Sequence, residues 1–461
     1  MQSWVGRACR IFWRDERGVS AMIFALFLPV LMLLIGGAID FSRLLQLRME
    51  LQDACDSASV GAVGVNSSAF QAGIAMSGNG PIAIGSTQAK AIFNSNMPAN
   101  IDLSGTVFTA SVSKTNTVIT SVSSVKSSYK STILGLFVPA LANIPINITS
   151  TSSATVPPYI NFYLLLDNTP SMGLGATPAD ITALQNATNS SIYGGDANCA
   201  FACHELDMPQ SGTGEDFYDL ARDKNITLRI DVVRQATQNL MTTATNTETL
   251  PKQFGMAIYD FGTDATLISA TAPTAYQVSA LTTNLTTAAT NAGTIDLMTV
   301  PAQNYNNDEQ TNSTSVLAGM NSIIPTNGSG MTAASPEEVL FMVTDGVNDG
   351  YGAGYNNGAS NRRITPFDTT SCTTLKNRGV RIAVLYTTYQ PVPANSFFVS
   401  WVQQYLPILQ SNGTSSEGAV ATALQSCATS GLYFEVSPTQ GISAAMSALF
   451  QKVVSVVRIN S

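Results

Sequence analysis

The sequence predicts an α/β protein. Residues 158–461 form a doubly wound, mostly parallel sheet, preceded by a small α+β region and an N-terminal transmembrane helix. Three observations carry this prediction: an uncharged run from Val19 to Ile39, Val-, Ile- and Thr-rich stretches of period two between 105 and 157, and apolar strands alternating with amphipathic helices after Pro157 and Pro158.

The chain has 461 residues, enough for several domains with a real core. Only 11% are charged and the net charge is -8. Beyond the N-terminus no stretch concentrates Lys or Arg into a phosphate-binding face, which excludes nucleic acid as a partner. Few charges among many Ser, Thr, Asn, Gly and Ala suit an exported bacterial protein.

Residues 1–17 carry Arg7, Arg10, Arg14 and Arg17 against Asp15 and Glu16. The segment 18–40 that follows supplies about 20 apolar residues, enough to cross roughly 30 Å of hydrocarbon as a helix. A cleaved signal peptide is the alternative, but the run is full length and passes into Asp40-Phe41-Ser42-Arg43 without a small-residue cleavage site. The four arginines place the N-terminus in the cytoplasm, which makes this a single-pass inner-membrane protein with the bulk of the chain periplasmic; exposure at the cell surface is the variant of that reading. Leu44, Leu47, Leu51, Ala54, Ala58 and Ala62 then continue the helix as a stalk to about Val65, alternating with Arg48, Glu50, Asp53 and Asp56. Gly and Ser punctuation from Asn66 to Asn100 predicts loop, with one short helix at 87–94. The stretches TVFTASVS, TVITSVSSV and INITSTSSATV predict strands, so that 41–157 has the plan of a pilin-like subunit. Between them the apolar patch 133–141 can face the membrane, a partner or the strands.

In 158–461 the predicted strands are 160–166, 254–259, 339–343, 380–386 and 432–436, and the helices 228–242, 313–324, 369–377, 397–410, 418–427 and 442–457. Two insertions interrupt them. One, about 173–225, contains Cys199, Cys203 and His204; the other, 348–361, is rich in Gly, Asn and Tyr and reads as a mobile loop. In this architecture ligands sit at the carboxyl ends of strands. There the first strand ends in Asp167, with hydroxyls following at Thr169 and Ser171, and a later strand ends in Thr344-Asp345-Gly346. Thr311, just before a helix, reaches the same edge, with Asp308 and Thr314 as neighbouring alternatives. Asp167, Thr169, Ser171, Thr311 and Asp345 are hard oxygen donors, which suit a divalent cation: Mg²⁺ first, Ca²⁺ or Mn²⁺ as well. So few charged ligands leave a coordination position for a partner's carboxylate. Either aspartate alone would more simply cap a helix.

The turn Asp167-Asn168-Thr169-Pro170-Ser171, Thr311 and Thr344-Asp345-Gly346 resemble a von Willebrand factor A domain, a Rossmann-type fold with a metal-ion-dependent adhesion site. The resemblance implies direct metal contacts from Ser171, Thr311 and Thr169, and partly water-mediated ones from Asp167 and Asp345. Thr169 stands where serine is usual, and Pro170 lies within the turn. Arg17-Gly18 with the apolar run, Asp40-Phe41-Ser42-Arg43, Leu51-Gln52-Asp53-Ala54 and Cys199-Ala200-Phe201-Ala202-Cys203-His204 resemble the TadE/TadG-like proteins of tight-adherence (Flp) pilus assembly, whose TadG-like members carry a C-terminal A domain. Ile23 replaces the glutamate of processed pilins, so prepilin-type cleavage at Gly18 does not follow. The implied function is a membrane-anchored periplasmic factor for Flp pilus biogenesis, with pilus assembly components or pilins as protein partners; the alternative is a minor pilin-like subunit or adhesin displayed on the pilus or cell surface.

Of six cysteines, Cys9 faces the reducing cytoplasm, and the other five lie where disulfides persist. The expected pairs are Cys199 with Cys203 and Cys372 with Cys427, leaving Cys55 on the stalk, buried or open to an intermolecular bond. CAFACH also admits a haem reading, although its spacing is one residue longer than the usual motif and His204 is the only histidine. No Gly-x-Ser-x-Gly turn, P-loop or zinc cluster occurs, and Glu337 and Glu338 are expected to be solvated. The expectation is no enzyme.

Overall fold

The computed structural model describes residues 17–97, 105–189, 198–205, 216–261, 275–300, 311–351, 362–389, 391–395, 398–403, 418–437 and 441–456. The chain divides into two compact units, Met1–Val156 and Pro157–Ser461.

In the first unit, helix α1 (Arg17–Val63) carries the apolar run and continues past it. Its apolar side chains are largely exposed from Met22 to Phe41, whereas Leu51, Ala54, Cys55, Ala58 and Ala62 are buried. The later half is therefore a packed element of a folded unit and not a free stalk. It lies on an antiparallel sheet of order β1-β2-β3-β4, formed by Gly80–Pro81, Val107–Thr115, Val118–Lys130 and Asn143–Thr155. Ser59 Oγ meets Ser150 Oγ and Ser152 Oγ at 2.8 and 2.9 Å. Of the two readings of Cys55 the structure has the buried one, its thiol donating to the Ser123 carbonyl at 3.4 Å.

The segment expected to be mostly loop holds two helices, α2 (Ser68–Ala75) and α3 (Ala83–Asn96). Gly73 and Gly85 misled because they serve close packing rather than turns. A Cβ on Gly73 would lie 2.3 Å from Ile119 Cδ1, and one on Gly85 2.8 Å from Val112 Cβ. The apolar stretch after β3 forms a short turn, α4 (Leu134–Phe137).

The second unit is built on a six-stranded sheet. Its members are β5 (Ile160–Leu166), β7 (Phe254–Asp260), β8 (Tyr276–Thr282), β10 (Glu337–Thr344), β13 (Arg381–Thr387) and β14 (Tyr433–Val436), in the order β14-β13-β10-β5-β7-β8. All neighbours are parallel except β8, which runs antiparallel to β7. The central strands are continuous apolar runs because both faces are covered. On one face lie α7 (Arg229–Thr247), α8 (Leu285–Ala292) and α12 (Ile442–Val456); on the other lie α9 (Ser313–Ile323), α10 (Thr370–Asn377) and α11 (Ala419–Cys427). This is the expected doubly wound, mostly parallel α/β architecture. Strand order reverses between β5 and β10, where such sheets open a crevice at their carboxyl edge.

Sequence reasoning missed β8, an edge strand with only Ser279 buried and so without an apolar signature. The first insertion contains α5 (Pro178–Ala187), started by a Thr177–Asp180 capping box, a two-residue strand β6 (His204–Glu205) paired with β9 (Thr299–Val300), and α6 (Phe217–Asp223). The second is flanked by a hairpin, β11 (Val347–Tyr351) against β12 (Arg362–Pro366); its tip lies outside the described residues. Of the expected helix 397–410, the described part is a π-type turn at Phe398–Val402.

Cys372 and Cys427 are bridged, with Cα atoms 5.2 Å apart, joining α10 to the end of α11. Glu337 and Glu338 are not solvated. Glu337 pairs with Arg381 at 2.7 Å, and Glu338 is 3% exposed, facing the Tyr163 hydroxyl and accepting from Asn161 Nδ2 at 3.3 Å. Burial pushes the Glu338 carboxyl up to about 7. A carboxyl whose folded-state value is raised stabilises least when ionised, so stability is highest below the ordinary Glu range and falls as pH rises toward about 7. Glu338→Gln is expected to flatten that fall and raise stability at pH 8, as read from denaturant midpoints of the full chain across this window.

Candidate metal centre

The apolar strand β5 ends at Leu166, and the next residue, Asp167, is fully buried at the carboxyl edge. Its Oδ1 accepts from the Thr169 amide at 3.1 Å and from Thr169 Oγ1 at 2.7 Å. Pro170 starts a single 3-10 turn, Pro170–Gly173, which sets Ser171 beside Thr169 with their hydroxyls 3.3 Å apart. Pro170 thus fits the turn, since an N1 position needs no amide donor. From β10, Thr344 Oγ1 donates to Asp167 Oδ2 at 2.7 Å and accepts from the Gly346 amide at 3.0 Å. Gly346 has φ +73°, and a Cβ there would lie 2.5 Å from Val420 Cγ1, so this bend requires glycine.

Asp345 is also fully buried. Its Oδ1 accepts from the Val347 amide at 3.2 Å, and the Ser171 hydroxyl hydrogen-bonds the carboxylate. Its Oδ2 is buried without a hydrogen bond; Arg229 Nη1 stands 3.6 Å away, itself fully buried. Arg229 opens α7, where its amide donates to the Leu174 carbonyl at 3.0 Å, and its Nη2 donates to Thr387 O and Oγ1, both at 3.1 Å. Burial first, and the charge of Asp345 second, push Asp167 up to about 6. Asp345 is pushed up as well, burial outweighing the opposing pull of Arg229 and of the Ser171 hydrogen bond.

The structure therefore joins Asp167, Thr169, Ser171 and Asp345 in one hydrogen-bonded cluster, with Thr344 as an added link. Thr311 is 5% exposed and pairs through its backbone with Asp349 at 2.8 and 3.1 Å; the hydrogen bonds of the described residues do not carry its hydroxyl to the other four. Of its alternatives, Thr314 is turned away to donate to Asp368 at 2.7 Å, and Asp308 lies outside the described residues. No three His, Cys, Asp or Glu side chains converge among the described residues, so any cation here would lean on hydroxyls beside two carboxylates. The oxygen-only donor set and the orphaned Asp345 Oδ2 fit a hard divalent ion.

Three residues escaped sequence reasoning. Thr344 was read only as part of a strand end. Asn168 straps the turn to its surroundings, its Oδ1 accepting from the Phe261 amide at 3.2 Å, its Nδ2 donating to the Asp296 carbonyl at 3.2 Å, and its own carbonyl accepting from the Met298 amide at 2.8 Å. Arg229 had one available signal, a charge between Leu228 and Ile230 at the start of an amphipathic helix.

Cys199 and Cys203 are not joined to each other. Phe201, between them, forms an antiparallel bridge with Leu174, and this pairing carries Cys199 Sγ to the Phe201 carbonyl at 3.2 Å instead. His204 Nδ1 meets Asp216 Oδ2 at 2.8 Å and its ring stacks on Tyr218, 4.3 Å between centroids, which ties β6 to the N-cap of α6 within the insertion.

Residues 18–65 match the family model described as "Putative Flp pilus-assembly TadE/G-like". Solved structures similar to this chain include the von Willebrand factor domain of the type V pili tip protein Mfa5 from Porphyromonas gingivalis (10% identity, TM-score 0.34, covering 66% of this chain and 97% of that one). Two more are the pilus adhesin SpaC from Lactobacillus rhamnosus GG (12% identity, TM-score 0.33, 77% and 35%) and the PilB minor pilin from Streptococcus sanguinis (9% identity, TM-score 0.33, 77% and 78%). No curated protein sequence matches the chain.

Arg229→Met leaves the Asp345 carboxylate uncompensated and is expected to lower stability by about 3–5 kcal/mol, the usual cost of breaking a buried pair. Adding Asp345→Asn is expected to recover much of that loss. Urea unfolding of the full chain in detergent checks both.

Proposed function

We propose that the chain is a membrane-anchored periplasmic factor for tight-adherence (Flp) pilus biogenesis, and that its A-type domain binds a protein partner through a divalent cation, Mg²⁺ in the first instance. The observation that carries the reading is the pair of buried carboxylates at the switch point, one of them with an oxygen lacking a hydrogen bond, on a chain whose anchor segment is TadE/G-like. Thr169, Ser171 and Thr311 are the residues to hold the ion directly, with Asp167 and Asp345 contributing partly through water. The ion would supply an electrophilic open position. With Asp167 and Asp345 ionised, Arg229 and a divalent cation leave the cluster with a net positive charge, which favours an acidic side chain from the partner. The arginines before α1 support a cytoplasmic N-terminus and a periplasmic domain. The function is one of binding, without catalysis.

Calorimetric titration of the full chain with MgCl₂ is expected to give saturable binding that Asp167→Ala and Asp345→Ala abolish, both variants remaining folded. Cation binding competes with protons on Asp167, so affinity is expected to fall as pH drops through about 6. Capture of Flp pilus components that persists unchanged in chelator sinks the mechanism. Fractionation separates the alternative: recovery of the protein in sheared pili would make it a displayed subunit, whereas an assembly factor stays with inner membranes.

A further inference from the structure

Asp40 ends the apolar run of α1 and is 1% exposed. No lysine or arginine among the described residues forms a salt bridge with it; six donors hold it instead. Tyr129 Oη (2.9 Å), Thr132 Oγ1 (3.2 Å) and the Thr132 amide (3.4 Å) reach Oδ1, while Ser131 Oγ (2.6 Å) and the amides of Ile133 (2.9 Å) and Leu134 (2.8 Å) reach Oδ2. The carboxylate thereby pins the start of the turn 131–142 to the helix.

The turn lies against α1 on the membrane side of Asp40. A Cβ on Gly36 would stand 2.1 Å from Ile133 Cγ2, and one on Gly37 would stand 3.3 Å from Leu134 Cδ2. At 1.5 Å per residue Gly36 is about 6 Å deeper along the helix than Asp40. Residues 131–142 carry no charge. Leu136 is 79% exposed, with Phe137, Val138 and Leu141 exposed too, and they continue the exposed apolar surface of Leu34, Ile35 and Ile39. Most of the turn's amides are paired internally. Besides the amides on Asp40, the Ser131 amide bonds Ala142 O, Gly135 bonds Ser131 Oγ, Leu136 bonds Ile133 O, Val138 bonds Leu134 O, Leu141 bonds Val138 O and Ala142 bonds Pro139 O. Non-helical backbone survives in hydrocarbon only when its polar groups are paired in this way. Arg43 and Lys130, both exposed, stand just past this apolar surface and suit phosphate headgroups.

We propose that residues 133–141 form a wedge in the leaflet at the Asp40 end of the apolar run of α1, with Leu136, Phe137, Val138 and Leu141 among the acyl chains and Arg43 and Lys130 at the headgroups. The inference rests on the reading of α1 as a membrane span. It gives Asp40 a role, since a carboxylate at the hydrocarbon boundary is costly unless its oxygens are hydrogen-bonded. The wedge fixes the depth at which the first unit meets the bilayer.

The test uses the full chain in vesicles of phosphatidylcholine and phosphatidylglycerol, with a fluorescent amino acid encoded at position 32, 136 or 153 and phospholipids carrying a nitroxide at shallow or deep positions. The dye at 136 is expected to lose most of its emission to the shallow nitroxide, that at 32 to the deep one, and that at 153, on β4, to neither. Position 136 behaving like 153 while 32 is quenched overturns the wedge and leaves the anchor standing. Absence of quenching at 32 overturns the anchor, and the wedge with it. Phe137→Asp is expected to abolish quenching at 136 and spare that at 32; unchanged quenching at 136 would show that apolar contact does not hold the turn in lipid.

Discussion

Two carboxylates buried side by side at the end of a dry sheet are the constraint on which the second unit depends. Asp167 and Asp345 leave adjacent strands at the switch point, and neither reaches water. Leaving them uncompensated would cost several kcal/mol each. The surrounding residues divide that burden: Thr169 and Thr344 hydroxyls on Asp167, Ser171 and the Val347 amide on Asp345, and the Arg229 guanidinium near the remaining oxygen. Arg229 in turn requires the carbonyls at the end of β13, so four elements converge on one electrostatic problem. The compensation is incomplete, since Asp345 Oδ2 keeps no hydrogen bond.

The first unit solves a different problem with one helix. Its early turns are apolar and exposed; its later turns carry Leu51, Ala54, Ala58 and Ala62 into the core of an antiparallel sheet. Small residues on that face allow the strands to approach, and Ser59 meets the serines of β4 directly. Asp40 marks the change from one regime to the other, its charge carried by hydrogen bonds from the turn after β3.

Much of this was legible in the residues. Ile160–Leu166 is apolar on both faces and ends in an aspartate, so the strand, its burial and the position of its carboxylate could be read directly, as could the Thr344-Asp345-Gly346 end. The glycines at 73 and 85 pointed the wrong way, because a glycine that admits a neighbouring side chain and one that makes a turn look alike in sequence. β8 was invisible because an edge strand that buries one serine has no hydrophobic period. The Cys199–Cys203 spacing suggested a closed loop, but Phe201 pairs with Leu174 and the Cys199 sulfur meets the Phe201 carbonyl instead.

The sequence by itself determined the long apolar helix at the N-terminal end, the alternation that makes a parallel sheet, and the oxygen donors at two strand ends, because these depend on local composition and period. Only the tertiary structure decided that Arg229 stands beside Asp345, that Thr344 bridges to Asp167, and that Asp40 is wrapped by residues about ninety positions away. Those contacts are set by how strands and helices pack, and long-range partners of a buried charge leave no periodic trace in the chain.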